Sequence, residues 1–347
     1  MSFEVTRERL LALPKAELHV HLDGSLRPAT MLELASELGV DLPASSPDAL
    51  SDAMRAEDSR NLAEYLEKFA ITLALMQGPE ALERTAYELG EDSAAENIRY
   101  LEVRYSPILH TEKGMSLEAA VEAPLRGLAA AEKAFGIRTG LIICGMRHLD
   151  SAASLRLAEL AVDFKDHGVV AFDLAGGEAG NPAKGHSPAC EFAAYHNLAI
   201  TIHAGEGFGP KSISQAIHHC HARRIGHGTR LHEDPELEAF VNDFRIPLEV
   251  CLTSNVQTRV SPTYADHPFR RYFDAGLVVT LNTDNRLMSG TTLTDEYWLA
   301  HQHLGLGWEE LKEVAFLGFQ AAFLPYEAKV NLLEEVEGEI QGLEEQL

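Results

Sequence analysis

Eight strand-length apolar runs, helix-period segments between them, and polar residues at the ends of nearly every run predict a (β/α)8 TIM barrel for this chain of 347 residues. Strands that alternate with helices pair in parallel, because each crossover carries the chain back to the same end of the sheet. Eight such units close the sheet on itself. A doubly wound open sheet shows the same alternation, but no GxGxxG follows the first run. With 46% hydrophobic and 24% charged residues the chain can bury a sizeable core, and a single domain over 1–347 is expected.

The first run, 16–21, leads into His19-Val20-His21-Leu22-Asp23-Gly24. Residues 30–96 are too many for one crossover helix and include the Pro- and Ser-rich stretch 42–51. Extra helices inserted after the first strand are therefore expected over the active-site mouth, as a lid. The second, third and fourth runs occupy 100–105, 139–144 and 169–174, with helical patterns at 117–135 and 151–167. The fifth, 199–203, ends in His203-Ala204-Gly205-Glu206, and the sixth, 224–227, in Gly226-His227-Gly228. A helical pattern at 235–244 precedes the seventh run, 247–251; the eighth, 277–282, ends in Asn282-Thr283-Asp284-Asn285. The acidic stretch 332–347 reads as a peripheral terminal helix. Groups at the C-terminal ends of barrel strands carry the chemistry, so these clusters converge on one rim.

Composition narrows the partners. The formal net charge of −24 repels a phosphate backbone and an anionic membrane surface, so a small molecule is expected and nucleic acid and membrane are not. The same acidity also fits a solubility or salt adaptation. Cys144, Cys190, Cys220 and Cys251 form no CxxC pair, which argues against a disulfide framework and a thiolate metal site; Cys144 and Cys251 sit in core-like runs. The first 15 residues carry Glu4, Arg7, Glu8 and Arg9 instead of an apolar signal segment. No apolar run reaches the roughly 18 residues of a membrane span, so a cytoplasmic protein is expected. The sequence leaves the oligomeric state open.

His19 and His21, two apart on a strand, point to one face about 7 Å apart at Cα, a span that two imidazoles can close onto one ion. Alone the pair is a weak signal, since strand histidines are commonly structural. His203 and Asp284, at two other strand ends, add a third imidazole and a carboxylate. Three histidines and an aspartate suit Zn²⁺ and leave a position for water, whose pKa the metal brings to about 7. Asp284 is then both ligand and acceptor for the water. His227 is placed to orient that water and take its proton, the alternative being a hydrogen-bonded structural ring. Glu206 sits beside the metal without being an obvious ligand. Desolvated there, its carboxyl would hold a raised pKa and protonate a ring nitrogen; a rim salt bridge is the alternative.

Over almost its whole length the sequence resembles the adenosine deaminase family of metal-dependent amidohydrolases. The resemblance rests on Lys15-Ala16-Glu17-Leu18-His19-Val20-His21-Leu22-Asp23-Gly24, Glu102-Val103-Arg104-Tyr105-Ser106-Pro107, Met146-Arg147-His148, Asp173-Leu174-Ala175-Gly176, His203-Ala204-Gly205-Glu206, Gly226-His227-Gly228, Thr253-Ser254-Asn255 and Leu281-Asn282-Thr283-Asp284. It implies one zinc per chain on His19, His21, His203 and Asp284, with Glu206, His227 and Asp284 as the catalytic groups. Glu206 would protonate purine N1 and His227 assist the hydroxide that adds at C6 before ammonia leaves. Substrate contacts would fall to His21, Asp23, Gly176 and Asn285, with Asp23 meeting the ribose 5′-hydroxyl and the Gly176 N–H meeting purine N3. One departure stands out: the best-known members follow the metal-ligating aspartate with a second Asp at purine N7, where this chain has Asn285. Its amide NH2 can donate to N7 without a proton being added.

The reaction implied is hydrolytic deamination of adenosine and 2′-deoxyadenosine. The same chemistry on aminodeoxyfutalosine or adenine is the nearest rival; AMP is disfavoured by a carboxylate at the 5′ end. A catalytically inactive zinc-stabilised binding protein, or an amide- or phosphotriester-cleaving barrel hydrolase, fits the residues less well.

Overall fold

The computed structural model describes residues 4–56 and 68–345. Its eight strands are β1 (Lys15–His21), β2 (Ile98–Tyr105), β3 (Arg138–Met146), β4 (Val169–Ala175), β5 (Ala199–Ala204), β6 (Arg224–His227), β7 (Leu248–Val250) and β8 (Val279–Leu281). They neighbour one another in chain order, and each successive pair is parallel. The seam between β8 and β1 closes at the candidate metal-ligating residues. The His21 N–H donates to Asp284 O at 2.7 Å, the Asp284 N–H to His19 O at 2.9 Å, and the Leu18 N–H to Asn282 Oδ1 at 2.9 Å. The barrel is thus completed by the segments that carry its histidines and aspartate.

Each predicted run overlaps its strand, and the helix Leu117–Phe135 has the predicted bounds. The pattern at 151–167 divides into an α-helix, Ser151–Asp163, and a 3-10 turn, Lys165–His167, ended by Gly168 at φ 107°. The terminal helix begins earlier than expected, at Tyr326 directly after Pro325, and buries Leu332, Val336 and Ile340 at helical spacing. After β1 come the helices Pro28–Leu38, Pro47–Met54, Phe69–Leu75 and Pro79–Ala95. Residues 57–67 of the expected lid lie outside the described residues. All four cysteines are buried and free. Among the described residues no helix is long and apolar enough to cross a membrane.

The strand interior is not wholly apolar. Glu249 on β7 accepts from Arg224 Nε at 2.6 Å, Arg104 Nη2 at 2.8 Å, Thr201 Oγ1 at 2.8 Å and His19 Nδ1 at 3.0 Å. Arg104 also reaches Asp173 at 3.0 Å, and Arg224 reaches Glu102. Burial opposes the Glu249 charge, but Arg104 and Arg224 outweigh it and hold the carboxyl well below the usual range. Removing one member strands the others without water. Glu249→Ala should therefore lower stability by about 3–5 kcal/mol, read as a shifted denaturant midpoint at unchanged slope. An unshifted midpoint would show that the cluster is dispensable.

Candidate active site

At the C-terminal rim the strands deliver their side chains into one cavity of about 380 Å³. His21, Asp23, Gly176, His203, Glu206, His227, Asp284 and Asn285 all line it, and His19 lies beneath at 0% exposure. Every candidate metal, catalytic or substrate-contacting residue of the sequence analysis is thereby brought to this cavity or its floor. Apolar walls come from Leu109, Met146 and Ala175, and from Phe69, Ala70 and Leu73 on the inserted helix Phe69–Leu75. None of its described lining residues is Lys or Arg.

The donor atoms of His19, His21, His203 and Asp284 lie within 4.8 Å of one another. His21 Nε2 is 3.1 Å from His203 Nε2 and 3.3 Å from Asp284 Oδ1, and His19 Nε2 is 3.5 Å from that oxygen. A tetrahedral ion with ligand distances of about 2.0–2.1 Å holds its donors roughly 3.3–3.5 Å apart, so the spacing matches. Carboxylates behind the rings set their direction: His19 Nδ1 donates to Glu249, and Asp173 Oδ2 stands 2.9 Å from His203 Nδ1. That turns both Nε2 atoms inward. Burial pushes His21 down to about 3, so its ring is neutral and its lone pair available. His19 Nε2 is buried without a hydrogen-bond partner, as expected of an atom reserved for a cation. The set fits Zn²⁺ and could hold a metal ion. Glu206, His227 and Asp284 form a second candidate group that shares Asp284.

Burial pushes the Glu206 carboxyl well above the usual carboxylate range, and the charges of Asp284 and Glu178 add to the shift. Thr258 Oγ1 donates to Glu206 Oε1 at 3.1 Å, while Oε2 faces His227 Nε2 at 3.5 Å. Burial, reinforced by His19, pushes His227 well below its ordinary value, and the ring is neutral. Ser254 Oγ donates to Asp284 Oδ2 at 2.6 Å. His227 and Asp284 sit at φ 64° and 63°, left-handed conformations that cost of order 1–3 kcal/mol each and cluster at functional sites.

Two glycines make room. A Cβ on Gly226 would stand 3.0 Å from His19 Cε1, and one on Gly24 would stand 1.9 Å from Asn285 Oδ1. Asp23 is 4% exposed, with Oδ1 unpartnered and Oδ2 3.8 Å from His110 Nε2.

Sequence reasoning missed several supporting groups. Glu178 accepts from the N–H groups of Gly205, Glu206 and Gly207 at 3.0, 2.8 and 3.1 Å, anchoring the loop that presents Glu206. Glu249 and Asp173 orient ring nitrogens, and Asn255 and Thr258 hold His227 and Glu206. A charged residue inside an apolar strand run was the readable signal for Glu249 and Asp173. Nothing local marks Glu178 or Thr258.

The model of the family described as adenosine deaminase matches residues 14–339. An adenosine deaminase of Mycolicibacterium vanbaalenii is 43% identical over 97% of each chain. Among solved structures, an adenine deaminase of Arthrobacter aurescens is 28% identical at TM-score 0.88, covering 95% of this chain and 99% of that one. A Burkholderia ambifaria amidohydrolase with bound Zn is 26% identical at TM-score 0.89, covering 99% and 96%.

Proposed function

The chain belongs to the adenosine deaminase family, and from that premise we propose that it hydrolyses the C6 amino group of adenosine and 2′-deoxyadenosine, with one zinc per chain. One observation carries the proposal: the donor atoms of three histidines and Asp284 converge at the same cavity that Glu206, whose pKa burial raises, shares with Asp23, Gly176 and Asn285. His19, His21, His203 and Asp284 would hold the metal, and bound zinc supplies Lewis-acid activation of water. Glu206 keeps a proton for purine N1, which draws electron density from C6. His227 holds the attacking oxygen in place, and the ionised Asp284 accepts a hydrogen bond from it. Water adds at C6, ammonia leaves, and inosine remains.

The absence of Lys and Arg from the described lining residues favours an uncharged nucleoside over its 5′-phosphate. Adenine is the second reading, favoured by the likeness to the A. aurescens enzyme, but it would leave Asp23 without a partner. Steady-state kinetics on adenosine, 2′-deoxyadenosine, adenine, AMP and aminodeoxyfutalosine test this: the first two should have the highest kcat/KM. A higher value for any other compound overturns the assignment.

The recognition roles have their own test. Asp23→Ala should reduce kcat/KM for adenosine about 5- to 150-fold more than for 5′-deoxyadenosine, the worth of a charge-assisted hydrogen bond. If Asn285 donates to N7, 7-deazaadenosine should be a poor substrate and Asn285→Ala should erase the difference. Equal turnover of 7-deazaadenosine and adenosine by the native enzyme would remove Asn285 from purine recognition.

A further inference from the structure

His267 is outside the cavity, 3% exposed, and has no part in the chemistry described above. Its hydrogen bonds nevertheless lead to His227. The backbone N–H of Phe269 donates to His267 Nδ1 at 3.1 Å. A ring nitrogen that accepts carries no hydrogen, so in the neutral ring the hydrogen is on Nε2. Burial pushes His267 down to about 3, which makes the ring neutral. His267 Nε2 lies 3.1 Å from Asn255 Oδ1, which also receives Thr229 Oγ1–H at 2.7 Å. Two donors on that atom identify it as the amide oxygen. The other end of the same amide is then the NH2, which meets His227 Nδ1 at 3.1 Å. Nδ1 of His227 is accordingly the acceptor, and in the neutral ring the hydrogen sits on Nε2, facing Glu206 Oε2 at 3.5 Å.

We propose that His267 and Asn255 are positioning residues that fix the hydrogen polarity of His227. A backbone N–H, which cannot reverse, starts a one-directional relay whose last member presents an N–H to the reacting atoms. His227 thus serves as a hydrogen-bond donor to the attacking oxygen and not as a neutral base at Nε2. The inference rests on the role given to His227 above. Asn255 is 0% exposed, so no water competes for either end of its amide.

The test is ¹⁵N NMR of the zinc-loaded enzyme labelled at histidine, with the His227 signal identified by its loss in His227→Gln. The expected state is the Nε2–H tautomer. Asn255→Asp has the same shape but can only accept at both ends, so the His227 hydrogen should move to Nδ1. Its kcat should fall by about 10²-fold or more with zinc content unchanged, as a wrong tautomer does in other hydrolases. His267→Gln keeps an N–H for Asn255 Oδ1 and should lose less activity than His267→Leu, which frees the amide to turn over. An Nδ1–H tautomer in the native enzyme overturns the proposal. So does an unchanged tautomer and kcat in Asn255→Asp, or equal kcat in the two His267 variants. Undiminished kcat in His227→Ala would instead refute the role assigned to His227, whatever its tautomer.

Discussion

Glu206→Gln should leave zinc bound and the fold intact while kcat for adenosine falls by at least about 10²-fold. The substitution keeps the size of the side chain and its contact with Thr258 Oγ1 but removes the proton assigned to purine N1. Burial, then Asp284 and Glu178, raise the Glu206 pKa well above the usual carboxylate range, which favours the acid form. The sign of the pH dependence follows. Activity is present below the raised pKa and is lost as pH rises through it, and this alkaline limb should disappear from kcat/KM in the glutamine variant. Metal analysis beside steady-state kinetics separates the outcomes: near-normal kcat would mean another group protonates the ring, and lost zinc would mean Glu206 is a ligand.

His203→Ala should abolish zinc binding and activity together, because one of the four donors that converge on the ion is lost. The loss in kcat should exceed about 10³-fold, since without the metal water returns toward its bulk pKa. The native enzyme should hold about one zinc per chain and lose activity on chelation, recovering it when zinc is restored. The second group, Glu206, His227 and Asp284, makes stoichiometry informative. Two tightly held ions per chain would overturn the single-zinc assignment, and full activity without metal would overturn the mechanism.

The eight strands were legible because a parallel barrel strand is buried on both faces, so its residues form a short apolar run with a polar end. His19, His21, His203 and Asp284 could be read for the same reason: each interrupts or ends such a run, where a buried charge or imidazole needs a purpose. Boundaries were less legible. The terminal helix starts at Tyr326, before its acidic pattern becomes regular, and β7 and β8 each span three residues of longer apolar runs.

By itself the sequence pointed to the barrel and, through strand-end position, to His19, His21, His203, Asp284, Glu206 and His227 as candidate site residues, while Asp23, Gly176 and Asn285 were legible only through the family resemblance. Only the tertiary structure decided what stands behind them. Glu249 reaches His19 across 230 positions of chain, Glu178 caps three N–H groups some 28 positions away, and His267 acts on His227 through Asn255. These partners sit on different strands or loops, and hydrogen bonds between distant segments leave no periodic trace. The direction of each such bond depends on distances of about 3 Å that exist only after the barrel has closed.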